Sequence, residues 1–154
     1  MAVRPVPEGY SSITPYLIIT GAAKAIDFYK RVFGATEVMR FGGPDGKVGH
    51  AELRIGNSMI MLADEHPERG YRSPQSIGGS ATGIMLYVDD VDRVFKRAVE
   101  AGAAVHQELK DQFYGDRSGT VVDPFGHVWT ISTHVEDVSP EEMQRRMASM
   151  GAGS

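Results

Sequence analysis

Hydrophobic and polar positions follow the same order twice along this chain. Short apolar runs at residues 13–19 and 83–88 each precede a segment whose apolar residues recur at helical spacing. Each segment stops at a glycine, Gly34 in the first half and Gly102 in the second, as helices commonly do. The apolar positions are Ala22, Ala25, Ile26, Tyr29, Val32 and Phe33, then Val91, Val94, Phe95, Ala98 and Val99. Each half is therefore predicted to begin with a strand and an amphipathic helix.

Three further strands are predicted after each helix, because short alternating or apolar runs are separated by turn residues. They span 36–41, 48–55 and 58–63 in the first half and 104–109, 119–122 and 127–133 in the second. A shift of 68 residues places Ala35 on Ala103, directly after the two glycines, so the chain contains an internal repeat. The prediction is an α+β fold in which two βαβββ modules form one cupped mixed β-sheet with helices on the outside.

The module boundaries follow from the same pattern. The modules are predicted at residues 12–65 and 83–134, within one compact domain. Residues 66–82 are rich in glycine, serine, proline and charge without periodicity, which indicates a linker or a flap. Residues 135–150 are expected to form a C-terminal helix that begins at a capping box of Ser139 and Glu142. Three methionines, Met143, Met147 and Met150, line one side of that helix, and docking on the chain's own body is favoured over docking on a partner subunit.

Composition narrows the class of function. With 42% hydrophobic and 23% charged residues, the 154-residue chain has the composition of an ordinary globular protein. A net charge of −4 predicts no nucleic-acid partner, and the absence of cysteine excludes disulfides, zinc–thiolate sites and a thiol nucleophile. Residues 1–10 contain no apolar run of the kind found in signal peptides or membrane spans. A cytoplasmic location without a membrane partner is therefore expected.

Two sets of short motifs accompany the repeat. The first set is Ala25-Ile-Asp-Phe-Tyr-Lys30, Phe33-Gly34 and Asp123-Pro-Phe-Gly-His127. Together with the repeated order of elements over residues 12–134, it resembles the vicinal oxygen chelate superfamily, which includes glyoxalase I, extradiol dioxygenases, fosfomycin-modifying enzymes and bleomycin-resistance proteins. The second set is Ile13-Thr-Pro-Tyr16, His50-Ala-Glu-Leu53 and Gly115-Asp-Arg117, which looks like the 3-demethylubiquinone methyltransferase-like subgroup. The resemblance implies a homodimer.

The resemblance also implies four metal-ligand positions, one on the first and one on the fourth strand of each module. In this sequence they fall on Thr14, Met61, Gly83 and Thr130. Divalent metals in such sites are held by imidazole nitrogens and carboxylate oxygens, which these four residues do not supply. No metal and no other cofactor is therefore expected, although a divalent metal at other ligands stays open.

The strand at 48–55 carries the candidate chemistry of the first module. Period-two alternation points Ala51, Leu53 and Ile55 toward the helix and places His50, Glu52 and Arg54 on the opposite face. His50 and Glu52 are candidate catalytic residues, since an imidazole beside a carboxylate can transfer protons. A solvated charge ladder is the alternative, and it is favoured.

Flexible thioethers and aromatic rings on the same faces predict an adaptable apolar wall for an organic ligand. The candidate ligand-binding residues are Tyr16, Arg54, Met59, Met61, Met85, Tyr87 and Thr130, beside Ile18. Ordinary core filling is the alternative for each methionine. Structural roles are predicted for the Asp123-Pro turn and for His127, and a solvent-exposed turn is favoured for residues 115–118.

Two functions remain open after these steps. The first is a metal-independent small-molecule binding protein of glyoxalase/bleomycin-resistance type, holding an organic ligand in the cleft of the cupped sheet. The alternative is a glyoxalase- or dioxygenase-like enzyme, a lyase, isomerase or dioxygenase, that uses His50, Glu52 or Tyr87 as acid–base groups, with or without a metal at non-standard ligands.

Overall fold

The order strand, helix, three strands occurs twice in the computed structural model, which describes residues 2–152. The first half contains β1 (Tyr16–Ile19), α1 (Ala22–Phe33), β2 (Thr36–Gly42), β3 (Val48–Ile55) and β4 (Ser58–Asp64), followed by a 3-10 turn (Pro67–Arg69) and the short helix α2 (Pro74–Ile77). The second half contains β5 (Gly83–Tyr87), α3 (Val91–Glu100), β6 (Ala104–Asp111), β7 (Asp116–Val122) and β8 (Val128–His134), followed by α4 (Pro140–Ala152). The predicted α+β class with two βαβββ modules is confirmed.

Backbone hydrogen bonds form two four-stranded mixed sheets rather than one continuous sheet. Their strand orders are β1-β4-β3-β2 and β5-β8-β7-β6, and in each sheet the module's first strand runs parallel to its fourth. The remaining pairs are antiparallel. The described residues divide into a first unit, 2–82 with 123–127, and a second unit, 83–122 with 128–152.

Helix α1 packs on one face of the first sheet. Its buried residues include the six apolar positions that the sequence pattern predicted. On β3, Ala51 and Leu53 are fully buried against this helix, whereas His50 and Glu52 are only half-buried. The period-two assignment of β3 is therefore confirmed, and we call the face opposite α1 the open face of the first sheet.

The start of α1 is held by a carboxylate from the sheet. Gly21, at the N-cap position, has no side chain that could cap the helix. Instead, Asp64 Oδ1 accepts hydrogen bonds from the Gly21 and Ala22 amides, both at 3.0 Å, and its Oδ2 accepts one from Val48 at 2.7 Å. A carboxylate at this end of a helix also interacts favourably with the helix dipole.

The Asp123 turn and His127 have structural roles, as predicted. Asp123 Oδ1 accepts hydrogen bonds from the amides of Phe125 at 2.9 Å and His127 at 3.0 Å, and its Oδ2 accepts one from the Tyr29 hydroxyl at 2.6 Å. His127 is buried, with Nε2 3.0 Å from the Ile18 carbonyl oxygen. These contacts fix the turn within the first unit.

The C-terminal helix keeps only half of the predicted capping box. Ser139 Oγ accepts a hydrogen bond from the Glu142 amide at 3.2 Å, but the Glu142 carboxylate is bound by Arg145 and Arg146. Met147 and Met150 are exposed, so docking of these two side chains on the body is wrong. Between residues 2 and 152, the structure contains no helix with the length and apolar composition needed to cross a membrane.

Candidate functional site

Four side chains of the first unit form a continuous hydrogen-bonded chain. The Tyr16 hydroxyl lies 2.8 Å from His50 Nδ1, and His50 Nε2 lies 2.8 Å from Glu52 Oε2. The Tyr10 hydroxyl donates to the other carboxylate oxygen, Glu52 Oε1. Strand register explains the grouping, because Met61 of β4 pairs with Tyr16 on one side and with Glu52 on the other. The structure thus joins the predicted pair His50 and Glu52 to Tyr16 and adds Tyr10.

The protonation state of Glu52 sets the direction of these hydrogen bonds. Hydrogen bonds from Tyr10 and His50 lower the pKa of Glu52, so it is a carboxylate at neutral pH. An ionised carboxylate only accepts hydrogen bonds, so the proton of a neutral His50 lies on Nε2 and Nδ1 accepts from Tyr16. A carboxylate that orients an imidazole, with a hydroxyl on the other ring nitrogen, allows a proton to pass from the hydroxyl to the imidazole.

The two tyrosines at the ends of the chain stay protonated at neutral pH. Burial, followed by the hydrogen bond to Glu52, raises the pKa of Tyr10 to about 12. Burial also raises the pKa of Tyr16, with smaller contributions from Tyr71 and the charge of Glu52. Tyr16 therefore carries a proton that it can share with His50 or with a ligand.

A cavity of about 580 Å³ lies beside these hydrogen-bonded side chains, within the first unit. Its apolar lining comes from Tyr16, Ile18, Val48, Ala63 and Tyr71. Charged residues from the turn between β2 and β3 and from residues 64–69 complete it. Cavities that bind small organic molecules typically measure about 300–1,000 Å³ and combine an apolar lining with a few polar groups. Because Tyr16 lines the cavity, the Tyr16 end of this series of hydrogen-bonded side chains would contact a molecule bound there.

The other predicted binding residues of the first unit differ in accessibility. Met61 is half-buried on the open face, in the register position between Tyr16 and Glu52. Met59 is only 6% exposed, which favours core filling over a role in a ligand-binding wall. Arg54 is exposed, and its guanidinium approaches Gly9 and Tyr10 of the N-terminal segment.

In the second unit, the predicted residues lie on one sheet face among hydroxyl groups. Met85 and Tyr87 are both exposed. Thr130 is half-buried, and its Oγ1 lies 2.9 Å from Thr120 Oγ1. Ser132 Oγ donates to the Met85 sulfur at 3.3 Å. This face is more polar than the methionine wall that the sequence predicted.

A second hydrogen-bonded network was missed by the sequence interpretation. Asp116 Oδ2 accepts a hydrogen bond from the Tyr87 hydroxyl at 2.8 Å, and Asp116 Oδ1 lies 2.8 Å from His134 Nδ1. His134 Nε2 lies 2.7 Å from Asp137 Oδ1. Asp116 is only 3% exposed, so the interpretation of residues 115–118 as a solvent-exposed turn is wrong. The available signal was the polar alternation of Asp116, Ser118 and Thr120, which indicates a strand.

His134 should make stability depend on pH above neutrality. Hydrogen bonds that the His134 ring donates to Asp116 and then to Asp137 raise its pKa, so the folded protein binds a proton more tightly than the unfolded chain. The stabilisation is complete below the unfolded pKa of about 6.5 and is lost as pH rises through the higher folded value. We expect the urea midpoint of His134→Gln to fall less than that of the wild type between pH 6.5 and 9. The control is His106→Gln, an exposed histidine on β6, which should keep the wild-type slope; equal slopes in all three proteins would contradict the prediction.

The four positions implied for metal ligands do not fit a divalent ion. Thr14 precedes β1, Met61 offers a thioether, Gly83 has no side chain, and the Thr130 hydroxyl is bonded to Thr120. Carboxylate and imidazole groups, which divalent metals prefer, are missing from all four. Across residues 2–152, no group of three or more histidines, aspartates or glutamates is placed to hold a metal ion.

The fold agrees with comparisons to known proteins. The chain belongs to the Glyoxalase/Bleomycin resistance protein/Dioxygenase superfamily, whose family model matches residues 12–131. An uncharacterized protein of Mycobacterium tuberculosis, Rv0887c, is 47% identical over 145 residues, which cover 92% of this chain and 85% of that protein.

Solved structures give the same result for the fold. PA1353 from Pseudomonas aeruginosa is 26% identical with a TM-score of 0.69, over 82% of this chain and 99% of that chain. TioX from Micromonospora sp. ML1 is 29% identical with a TM-score of 0.62, over 84% of this chain and 100% of that chain. The predicted superfamily is therefore confirmed.

Proposed function

We propose that this protein binds a small organic molecule in the cavity of its first unit and needs no metal to do so. The observation that carries the proposal is the cavity of about 580 Å³, whose aromatic and aliphatic lining meets the polar chain at Tyr16. Met61 adds apolar surface on the open face, and Arg54, exposed on β3, is a further candidate contact. Metal independence is supported by the donor chemistry of Thr14, Met61, Gly83 and Thr130. Met85 and Tyr87, which are exposed on the second sheet, stay candidate ligand contacts of the second unit by itself.

Acid–base catalysis is the second candidate, and the chain of Tyr16, His50 and Glu52 favours it. Glu52 would hold His50 in the tautomer that accepts a proton, and His50 would take the Tyr16 proton as the phenolic oxygen takes one from the ligand. Exchange of ligand protons with deuterated water that disappears in His50→Gln would favour catalysis over binding alone.

The binding proposal can be tested with a neutral aromatic probe, 2-naphthylmethanol, on protein treated with a chelator. We expect binding by calorimetry with the same affinity before and after addition of Mn²⁺, Ni²⁺ or Zn²⁺. Ile18→Trp should weaken binding by about tenfold or more, because the larger side chain occupies the cavity. A matched control is Ile13→Trp, since Ile13 is 86% exposed and does not line the cavity.

Three results would count against this function. They are no binding of the probe by a folded protein, binding that appears only after metal is added, and equal affinities of the two tryptophan variants. Circular dichroism of both variants is needed to show that each one folds.

Four finer assignments are also proposals. The 3-demethylubiquinone methyltransferase-like subgroup is supported by the motifs at residues 13–16, 50–53 and 115–117. The homodimer follows from the resemblance to the family, and sedimentation equilibrium tests it directly. A cytoplasmic location and the absence of a nucleic-acid partner follow from the composition and charge of the chain.

A further inference from the structure

Negatively charged side chains outnumber positively charged ones around the cavity of the first unit. Four carboxylates line it, whereas lysine and arginine contribute two cationic groups. The carboxylates are Asp45, Asp64, Glu65 and Glu68, and the cations are Lys47 and Arg69. A concave surface lined by an excess of one sign of charge raises the local concentration of ions of the opposite sign.

Two of the four carboxylates accept several hydrogen bonds each from the first unit. Asp64 accepts three backbone amide hydrogen bonds, and Glu65 accepts two, from the Ser73 amide at 2.9 Å and the Ser76 hydroxyl at 2.6 Å. The hydrogen bonds from Ser76 and then Ser73 lower the pKa of Glu65 to about 2. The negative charge of Glu65 is therefore present at the cavity throughout the neutral pH range.

Glu68 and Asp45 are more accessible. Glu68 is exposed and lies 3.2 Å from His66, and Asp45 is exposed and accepts one hydrogen bond, from the Lys47 amide at 3.0 Å. Both carboxylates retain oxygen atoms that can bind a ligand.

The aromatic lining favours the same kind of ligand. Tyr16 and Tyr71 both line the cavity, and the face of a tyrosine ring attracts an ammonium group within about 6 Å of its centre. With neutral His50, the Tyr16 hydroxyl donates to Nδ1, so its oxygen is left as an acceptor for a donor on the ligand. An alkylammonium group can satisfy both features, whereas a carboxylate satisfies neither.

We propose that the cavity of the first unit selects an organic cation, a small aromatic or aliphatic compound that carries an ammonium group. This inference rests on the proposed binding function and specifies its ligand class. The ammonium group lies among the carboxylates and tyrosine rings, and the hydrocarbon part contacts Ile18, Val48 and Ala63.

Three probes with the same ring test this selection: 2-naphthylmethylamine, which is cationic at pH 7, neutral 2-naphthylmethanol, and anionic 2-naphthoate. We expect calorimetry at low salt to give an affinity for the amine about tenfold above that for the alcohol, with the carboxylate weakest. Raising the salt from about 0.1 to 1 M shortens the screening length from about 10 to 3 Å and should reduce the preference for the amine.

Charge variants test whether the named residues cause the preference. The double variant Asp45→Asn/Glu68→Gln should reduce the preference for the amine over the alcohol to about twofold or less. The double variant Lys47→Gln/Arg69→Gln should strengthen amine binding several-fold. As a control, Asp27→Asn/Glu8→Gln removes the same charge from exposed positions of the first unit that do not line the cavity, and it should keep the wild-type preference.

The outcomes separate this inference from the binding function on which it rests. Equal affinity for all three probes, tightest binding of 2-naphthoate, or an unchanged preference in Asp45→Asn/Glu68→Gln would overturn the cation selection and leave the binding function intact. Binding of none of the probes by the folded protein would contradict both.

Discussion

Replacing Asp64 with alanine is expected to lower the free energy of unfolding by about 3 kcal/mol, because three backbone amides lose one charged acceptor. Those amides belong to Gly21, Ala22 and Val48, at 2.7 to 3.0 Å from the carboxylate. Asp64 also occupies the N-terminal end of α1, where Gly21 supplies no cap of its own. Urea unfolding followed by far-UV circular dichroism measures the loss.

The Asp64 prediction has an intermediate variant and a matched control. Asp64→Asn keeps one oxygen for the amides of Gly21 and Ala22 but places its NH2 group, which cannot accept a hydrogen bond, opposite the Val48 amide. Its loss of unfolding free energy should therefore lie between those of the wild type and Asp64→Ala. Asp45 accepts a single amide hydrogen bond and is exposed. Asp45→Ala should therefore cost about 0.5 kcal/mol or less. A loss for Asp64→Ala no larger than that for Asp45→Ala would show that the sheet carboxylate does not stabilise α1.

The fold could be predicted because burial has a period that the sequence retains. Helix α1 and strand β3 each show their period in consecutive residues, so no knowledge of distant contacts was needed to orient them. The duplication then supplied the topology, since the same order of elements recurs after Gly83. The number of sheets could not be obtained this way, because strand pairing between modules leaves no periodic signal.

Direct contacts between members of the candidate site were predicted only where the two residues share one strand. His50 and Glu52 are two residues apart on β3, and their common face follows from alternation alone. Tyr10 bonds to Glu52 across 42 positions, and His134 lies 18 positions from Asp116. Such pairs are joined by register and loop geometry rather than by local spacing, so the sequence pattern does not identify them.

A second large effect is expected at Gly115, beside the network of Asp116. Its φ of +100° lies in the region that favours glycine, and a Cβ atom there would collide with the Glu136 carbonyl oxygen and lie 3.1 Å from a methyl group of Val138. The Gly115 carbonyl also accepts hydrogen bonds from the amides of Val135 and Glu136 at 2.9 and 3.0 Å. Gly115→Ala should therefore lower the stability of the second unit by about 4 kcal/mol, from backbone strain and overpacking together.

Trp129 provides the measurement for Gly115→Ala, because it is the single tryptophan of the chain and is buried in β8 of the second unit. Its fluorescence should change at a much lower urea concentration than in the wild type. Gly46→Ala separates strain from collision, since Gly46 has a φ of +78° and no neighbouring atom within 4 Å of the added Cβ. Circular dichroism should show that this control loses only about 1 kcal/mol, the cost of the backbone conformation. If the two alanine variants lost the same stability, the contact with Glu136 would contribute nothing and the Gly115 loop would be free to move away from the segment after β8.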